Sequence, residues 1–283
     1  NKYEYYHDFE NYLLIGTDAT GNNNNGADYQ GSMADFLMLV IVDKTENTYS
    51  FLQFNRDTMT EVALIDHNGE GEATANIQLC TAHWYGGNRE QSCENTVKSV
   101  KKLLGGIQID GYYELNMSEI PKLNNMVDGV TVTLEDDFSK KYPKMKKGAT
   151  INLDDEQAYA YVHDRYGVGD EENTSRMKRQ QQYMTGFFKK LQEKVKANPN
   201  YANEVFESLQ DVSTTDITIG KISNISNIFA SGTDKGIFEL AGKSKIGQAL
   251  GDEIDHMEFY VNKKAMVSTM SELFGIVEQK NKE

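Results

Sequence analysis

Histidine and recognisable catalytic signatures are scarce in this chain of 283 residues, which holds only 5 histidines. It contains no HExxH pair, no cluster of cysteine and histidine ligands, no GxSxG elbow and no GxxxxGK[ST] loop. These absences argue against zinc enzymes, serine hydrolases and P-loop NTPases. The longest apolar run, residues 36–42, is too short to span a bilayer, which takes about 20 residues.

Positive charge is outnumbered: 29 lysines and arginines face 43 aspartates and glutamates, a net charge of −14. Such acidity argues against a nucleic-acid-binding protein, which needs a basic face. Arginine is rare, and unlike lysine it grips a phosphate or carboxylate with two parallel hydrogen bonds. Three of the five arginines fall within residues 165–179, so we expect a site for one anionic ligand there. The five are Arg56, Arg89, Arg165, Arg176 and Arg179.

The order of apolar runs and helical patterns predicts an α/β fold. The predicted strands are residues 12–16, 36–42, 48–54, 111–115, 130–134 and 258–261, and the main predicted helices are 93–104, 118–127, 155–162 and 174–195. Asp154 and Gln157 form a predicted capping box at the start of helix 155–162. Strands that alternate with helices favour an α/β/α sandwich, in which helices flank a central mixed β-sheet. We expect a single domain over residues 1–283, with a helical part at 196–283, because no composition break divides the chain.

Two aspartates flank the gap between the first two predicted strands: Asp18 follows the first and Asp35 precedes the second, across the asparagine-rich residues 22–25. If the strands are neighbours, both carboxylates lie at one rim of the sheet, where open α/β sheets bind ligands. Mg²⁺ takes carboxylate and phosphate oxygens together with waters. The pattern therefore indicates a magnesium site, although Asp18 in a turn and Asp35 at a strand end would look the same.

Two of the arginines follow the end of a predicted element, and two others lie at the start of one. Arg56, next to Asp57, follows a strand, and Arg165 opens a glycine-containing loop after a helix. Arg176 and Arg179 stand three residues apart at the start of the longest helix, where free N–H groups and the helix dipole already attract anions. We therefore expect an anion site at this helix start. A surface ion pair at Arg56 and a solvent-facing basic helix start are the plainer alternatives.

The 2 cysteines, Cys80 and Cys93, allow two interpretations. They are either two buried thiols of a cytosolic protein or a single disulfide that closes a short loop over Gly86 and Gly87 in an oxidising compartment. Their spacing does not choose between the two.

The motifs above stand in the order and spacing of a known family. The segments that match its strands, its Arg-Asp-Thr signature, its helix end and its arginine-rich helix start are residues 14–18, 34–40, 54–59, 153–165 and 175–181. Over residues 10–195 the chain resembles the catalytic domain of the LytR–CpsA–Psr family. Several ordered motifs at the family's spacing are far more specific than any one of them.

That resemblance implies an enzyme on the outer face of the cytoplasmic membrane of a Gram-positive-type bacterium. Such enzymes move a secondary glycopolymer, wall teichoic acid or capsular polysaccharide, from a polyprenyl-pyrophosphate carrier to peptidoglycan, forming a phosphodiester bond and releasing polyprenyl phosphate. A membrane helix at the N-terminus is usual, so we expect such an anchor to precede Asn1, which is not an initiating Met. The outer location also favours the Cys80–Cys93 disulfide.

The resemblance also implies roles for individual residues. We expect Mg²⁺ or Mn²⁺ near Asp18 and Asp35, and we expect Asp35 or Asp57 to take the proton of the peptidoglycan hydroxyl. An apolar lipid tunnel between sheet and helices is expected for the polyprenyl chain, and its candidate linings, which also read as ordinary core, are Met117, Met126, Met184 and Phe187. The residues expected to hold or act on the pyrophosphate are Arg56, His163, Arg165, Asp170, Arg176, Arg179 and Gln180.

The chain departs from the family at two positions, because Met33 and His163 stand where the family often has arginine. Two fewer cations should weaken the grip on phosphate or shift specificity, unless His163 is protonated. The aspartate that the family places before Arg176 corresponds to Asp170 or is replaced by Asn173. Two rival functions share the arginine site: a non-catalytic module that binds polyprenyl pyrophosphate or a wall polymer, and a lipid pyrophosphatase.

Overall fold

The computed structural model describes residues 5, 7–18 and 29–275, so the asparagine-rich residues 22–25 lie outside it. The strands are β1 (Phe9–Thr17), β2 (Ala34–Asp43), β3 (Thr48–Gln53), β4 (Met59–Ala63), β5 (Thr74–Gln78), β6 (Gly111–Asn116), β7 (Val130–Thr133), β8 (Thr150–Leu153), β9 (Ser213–Thr215), β10 (Thr233–Glu239), β11 (Gly242–Gly247) and β12 (His256–Val261). The helices are α1 (Arg89–Leu103), α2 (Ile120–Met126), α3 (Asp155–His163), α4 (Asn173–Ala197), α5 (Tyr201–Ser208), α6 (Ile219–Ser231) and α7 (Lys263–Phe274), and the 3₁₀ helices are Leu79–Trp84, Met117–Glu119 and Gln210–Val212.

These elements pack into two compact units. The sheet unit comprises the described residues of Asn1–Leu115, Ser213–Thr218 and Gly232–Glu283. The helical unit comprises Asn116–Val212 and Ile219–Ser231. The expectation of a single domain over residues 1–283 stays a prediction.

A six-stranded sheet organises the sheet unit, in the order β10-β3-β2-β1-β6-β9. Strand β2 pairs antiparallel with both β1 and β3, whereas β10 runs parallel to β3, so the sheet is mixed, as predicted. All of β2 is buried or half-buried, which fits an apolar run with neighbours on each side. The predicted α/β class with a central mixed sheet is confirmed.

One face of this sheet is covered by α1 and α7. The buried residues that form the shared core include Leu13, Ile15, Leu37, Leu39 and Ile41 from the sheet, Cys93, Val100 and Leu104 from the α1 segment, and Met270, Leu273 and Phe274 from α7. Alternate residues of β1 and β2 enter this core because side chains along a strand point to opposite faces. Helix α1 presents the face that its apolar spacing predicts, and it begins at Asn88, whose side chain accepts from the Gln91 amide.

The helical unit has a core of its own between the β7–β8 hairpin and helices α3 and α4. Met117, Val130, Tyr161 and Phe187 are among its buried members, and Met184 packs against them, so three of the candidate tunnel linings belong to this core. Helix α3 starts with the predicted capping box, in which Asp154 and Gln157 each accept from the other's backbone. Up to residue 197 every predicted helix and strand is present in the predicted order, and β4, β5 and β8 are additional.

Several strands are absent from the sequence prediction. The edge strand β10 shifts register between Asp234 and Ile237, around Gly236 at φ +92°, so it lacks the clean alternation that marks a strand. The β4–β5 hairpin encloses a polar turn and carries few apolar residues. Within the described residues, no helix has both the length and the apolar character needed to cross a bilayer.

Candidate anion-binding site

The first cluster of predicted residues lies where β3 ends beside the start of β2. Strand β3 runs antiparallel to β2, and past its end the Phe54 amide still donates to the Leu37 carbonyl at 2.9 Å. The chain then turns sharply, because the Asn55 side chain accepts from the Asp57 amide at 2.9 Å. This Asx turn presents Arg56 and Asp57 at the same end of the sheet as Asp35.

Arg56 is held between two carboxylates and two sulfur atoms. Its guanidinium forms an ion pair with Asp35, and its Nε lies 3.6 Å from an Asp57 carboxylate oxygen. Its Nη2 lies against the Met33 sulfur and 3.5 Å from the Cys80 sulfur. Burial lowers the pKa of Arg56, but the Cys80 sulfur and the two carboxylates raise it more, so the net direction is upward. The predicted surface ion pair is instead a largely buried cluster.

The predicted disulfide is wrong, because Cys80 and Cys93 are both free, buried thiols. Cys80 lies in the 3₁₀ helix and faces Arg56, whereas the Cys93 sulfur lies in α1, 3.8 Å from the His83 Nε2. Each thiol therefore has a separate partner. Burial raises the pKa of Cys80 to about 11, so a neutral thiol faces the guanidinium at neutral pH. The loop between them is closed by packing and hydrogen bonds.

The predicted metal ligands Asp18 and Asp35 lie at the same end of two paired strands. Asp18 follows β1, and its amide donates to the Met33 carbonyl at 3.4 Å. One residue earlier, Thr17 pairs with Ala34 in the antiparallel β1–β2 ladder. The predicted neighbourhood of the two strands is confirmed, and a metal at these carboxylates stays a prediction.

In the helical unit, side chains from the start of α4 bind the carbonyl end of α3. The bonds from side chain to carbonyl oxygen are Arg179 Nε to Tyr161 at 2.9 Å, Gln180 Nε2 to Val162 at 3.1 Å, Arg176 Nη1 to His163 at 3.5 Å and Arg179 Nη2 to Asp164. The last carbonyls of a helix lack partners within it and carry partial negative charge. The arginine-rich start of α4 thus binds the partially negative carbonyl oxygens at the end of α3.

Arg179 uses its third nitrogen as well. Its Nη1 donates to an Asp136 carboxylate oxygen at 2.6 Å, and its Cζ lies 5.3 Å from the Phe138 ring centroid. Gly169, at φ +55°, leaves room for Asp136, since a Cβ there would approach the Asp136 carboxylate to 2.6 Å. Arg179 is 1% exposed. Its position fits holding α3 and α4 together, and its predicted contact with pyrophosphate stays a prediction.

Arg165 lies in the loop between α3 and α4 and is arranged differently. Its guanidinium stacks on Tyr166, with Cζ 4.6 Å from the ring centroid, and donates to the Tyr166 hydroxyl. Tyr166 is 76% exposed. Among the described residues, no carboxylate pairs with Arg165, and its Nε has no hydrogen-bond acceptor. Arg165 therefore keeps an unneutralised charge.

His163, which stands where the family often has arginine, is held at the end of α3. Its ring stacks on Tyr159 at 4.6 Å, and its Nδ1 lies 3.2 Å from an Asp164 carboxylate oxygen. Lys141 lies 3.3 Å from the other oxygen of Asp164. Burial raises the pKa of Asp164, but the bond to His163 and the charge of Lys141 lower it more, and the net direction is downward. The histidine is thus placed beside an ionised carboxylate.

Asp170 and Asn173, the two candidates for the aspartate expected before Arg176, have different partners. Asn173 accepts a hydrogen bond from Arg176 at 2.8 Å. Asp170 accepts from the Glu172 amide at 3.0 Å and from the Ser175 hydroxyl at 2.7 Å, and both bonds lower its pKa. Asp170 therefore fixes the start of α4, while Asn173 is the residue in contact with Arg176.

Sequence reasoning missed three residues of these clusters: Asp136, Tyr166 and Cys80. Asp136 lies 43 positions before Arg179, so no local pattern connects them. Tyr166 directly follows Arg165, and an aromatic next to an arginine was a visible signal for stacking. Cys80 was predicted to be a buried thiol or a disulfide partner, and neither prediction indicates that its sulfur lies beside Arg56.

Known proteins resemble this chain in sequence and in fold. A Bacillus cereus (strain AH820) protein named polyisoprenyl-teichoic acid–peptidoglycan teichoic acid transferase TagU is 28% identical over 178 residues, which is 63% of this chain and 51% of that protein. The chain thus spans about half the length of this curated relative.

Two solved structures share the fold. The B. subtilis TagV crystal structure superposes with a TM-score of 0.70 at 20% identity, covering 96% of this chain and 99% of TagV. A structure described as TagT bound to LI-WTA gives 0.68 at 21% identity, covering 95% of this chain and 91% of TagT. Identities this low establish the fold alone. The model of the LytR_cpsA_psr family, however, matches residues 2–274, and the chain therefore belongs to that family.

Proposed function

We propose that this protein transfers a cell-wall glycopolymer from a polyprenyl-pyrophosphate carrier to peptidoglycan. The observation that carries the proposal is Arg165, whose charge no carboxylate of the described residues neutralises although the chain carries a net charge of −14. Such an arginine keeps its hydrogen-bond fork for a ligand, and phosphate oxygens match that fork. The name of the curated relative, a teichoic acid transferase, supports this reading of the anion.

Arg56 has a complementary part in the proposal. The Asp35 and Asp57 carboxylates hold its guanidinium in place, yet its buried Nε has no hydrogen-bond acceptor among the described residues. A preorganised guanidinium stabilises the negative charge that spreads over phosphoryl oxygens in the transition state. We assign Arg56 and Arg165 to phosphate oxygens of the substrate, with Arg176 as a further phosphate contact. His163 and Gln180 support the end of α3, from which Arg165 extends.

The proposed reaction is a displacement at phosphorus. A peptidoglycan hydroxyl oxygen attacks the sugar-side phosphorus. The bond between that phosphorus and the bridging oxygen of the pyrophosphate breaks, and polyprenyl phosphate leaves with the bridging oxygen. The hydroxyl proton goes to a carboxylate of the Arg56 cluster, either Asp35 or Asp57. Asp35→Asn and Asp57→Asn separate these two, because only the variant at the base should flatten the acidic limb of the rate profile.

Asp18 and Asp35 are the residues that would hold Mg²⁺. Both are carboxylates at the same end of two paired strands, and carboxylate oxygens are ligands that Mg²⁺ prefers. When bound, the ion would neutralise charge on the diphosphate.

Three further points belong to the same proposal. The polyprenyl chain requires an apolar tunnel, which we propose to lie between the sheet and helices. The polymer is wall teichoic acid or capsular polysaccharide. Because carrier and acceptor meet outside the cell, we place the protein at the outer face of the cytoplasmic membrane of a Gram-positive-type bacterium.

The test combines the protein with a polyprenyl-pyrophosphate-linked glycan, with or without a peptidoglycan acceptor and with or without Mg²⁺. The expected result is a phosphodiester-linked product and released polyprenyl phosphate only when the acceptor is present. Lipid phosphate released equally without acceptor would instead identify a pyrophosphatase. Binding of the lipid-linked glycan with no turnover under any condition would identify a non-catalytic module. Either result overturns the proposal.

A further inference from the structure

A second group of donor atoms is buried inside the sheet unit, apart from the arginine clusters. His83 comes from the 3₁₀ helix Leu79–Trp84, Cys93 from α1 and Glu114 from β6. One donor atom from each lies within 4.8 Å of the other two. The three residues are 2%, 0% and 6% exposed. An imidazole, a thiol and a carboxylate thus converge where solvent does not reach.

The histidine has the orientation of a metal ligand. Its Nδ1 lies 3.1 Å from the Ser32 carbonyl oxygen and 3.4 Å from the Ser32 amide, and the shorter contact places the proton on Nδ1. Nε2 then keeps a lone pair and faces the Cys93 sulfur at 3.8 Å. A metal-bound histidine typically donates its other ring nitrogen to a backbone carbonyl in this way. In a catalytic triad the carboxylate would hold Nδ1, so this arrangement is not one.

Glu114 supplies an independent observation. Its carboxylate is buried, and it forms no ion pair with a lysine or arginine of the described residues. Its carboxylate accepts a hydrogen bond from the Thr17 hydroxyl at 2.7 Å. A buried carboxylate without a cation is costly, and in proteins such groups are paired or bind a metal. One positive ion beside Glu114 would remove that cost.

We propose that His83, Cys93 and Glu114 bind a single Zn²⁺ through Nε2, Sγ and a carboxylate oxygen, with water as a fourth ligand. Around a tetrahedral zinc, nitrogen and sulfur ligands lie about 3.5 Å apart, close to the 3.8 Å between Nε2 and Sγ here. The Cys93 thiol loses its proton when the metal binds. A set that includes sulfur and nitrogen favours Zn²⁺ over Mg²⁺, which prefers oxygen alone.

The surroundings agree with this ligand set. The Thr17 hydroxyl would orient Glu114, as outer contacts do in zinc sites. A bound ion would tie the 3₁₀ helix, α1 and β6 together, and Thr17 directly precedes Asp18. The site would therefore stabilise the strand end that carries Asp18 without taking part in the transfer reaction.

Zinc content is the first test, because the site is closed and the metal must enter during folding. The full chain is refolded from urea with equimolar Zn²⁺ and excess Mg²⁺, desalted, and analysed for metal. A single zinc per chain is expected in the wild type, with none retained by Cys93→Ser or His83→Gln. Cys80→Ser, which removes the other buried thiol, is the matched control and should keep its zinc.

Refolding with Co²⁺ in place of Zn²⁺ identifies the ligands. A thiolate-to-cobalt charge-transfer band should appear in the wild type and in Cys80→Ser but not in Cys93→Ser. Glu114→Gln preserves the shape of the site, so it should fold and weaken Co²⁺ binding by at least about 100-fold. A wild type that retains no metal, or a Cys93→Ser variant that retains it with the same spectrum, overturns the proposal.

Discussion

Arg56 of the sheet unit and Arg179 of the helical unit are both largely buried and both form an ion pair with aspartate. They differ in whether every guanidinium nitrogen has a hydrogen-bond acceptor. Arg179 uses Nε, Nη1 and Nη2 on two backbone carbonyls and on Asp136. The buried Nε of Arg56 has no hydrogen-bond acceptor among the described residues. We therefore propose that spare donors, rather than the presence of an arginine, mark the residues that bind the ligand.

Arg165 extends the comparison within the helical unit. Arg165, Arg176 and Arg179 lie in one segment that runs from a loop into α4. The local sequence therefore predicts the same role, anion binding, for all three. In the structure, Arg179 donates to carbonyls at the end of α3, whereas the Arg165 guanidinium stacks on Tyr166 and donates to its hydroxyl, and the Arg165 Nε has no hydrogen-bond acceptor among the described residues. Arg179 thereby fixes the helix end from which Arg165 extends.

The largest expected effect is on folding and comes from Arg179→Ala. The substitution leaves Asp136 and two carbonyls buried without their donor, so the free energy of unfolding should fall by about 3–5 kcal/mol. Urea unfolding followed by circular dichroism measures it. Lys178→Ala, at the exposed neighbouring position, is the control and should change stability by less than about 0.5 kcal/mol. A loss below about 1 kcal/mol at Arg179 would mean that its bonds do not hold the helices.

Arg56→Ala should lower the transfer rate in addition to destabilising the fold, since it removes the cation beside Asp35 and Asp57. Loss of a guanidinium that stabilises the transferring phosphoryl should cost about 2–4 kcal/mol of activation free energy, about 30- to 900-fold in rate. Arg165→Ala should lose activity to a similar degree, and with less effect on stability, because it leaves no carboxylate unpaired.

The control is Arg89→Ala, which removes an arginine that belongs to neither cluster. Transfer rates of the three variants should be compared at matched folded fractions, with urea unfolding to establish those fractions. If Arg56→Ala and Arg165→Ala transfer at the wild-type rate, their unbonded donors do not mark a ligand site. The same follows if Arg89→Ala slows transfer as much as these two variants do.

The local sequence was enough for most of the fold. The apolar residues 36–42 predicted the central strand β2, and the Asp154–Gln157 capping box predicted the start of α3. The prediction failed where a strand is made by its neighbour rather than by its own pattern. Strand β10 is one case, since its bulge at Gly236 breaks the alternation and only pairing with β3 makes it a strand.

The candidate site was predictable in its residues but not in its contacts. Motif spacing indicated Asp18, Asp35 and Arg56, and their strands do end at one edge of the sheet. The partners of Arg179 were not predictable, because Asp136 is distant in sequence and backbone carbonyls leave no trace in a residue pattern. The disulfide prediction failed for a related reason: spacing does not reveal that Cys80 and Cys93 face different partners.

The smallest expected effect concerns the charges around the end of α3. The carboxylate of Asp164 lies 3.3 Å from Lys141, and its pKa is lowered in the folded protein. A lowered folded-state pKa means that the ionised group stabilises the fold fully above its unfolded pKa, about 3.9, and that this contribution is lost progressively as the pH falls from there through the lowered folded-state pKa. Because the pair is partly exposed, its coupling should be small, about 0.2–1 kcal/mol at pH 6.

A double-mutant cycle of Asp164→Asn and Lys141→Ala measures this coupling in urea unfolding from about pH 6 down to about pH 2. Both substitutions leave the Asp164 carbonyl that accepts from Arg179, so the bond between α3 and α4 stays in place. The coupling should be present at about pH 6 and decrease as the pH falls through the lowered pKa of Asp164. A coupling that stays constant over this range would show that Lys141 and Asp164 interact through packing rather than charge.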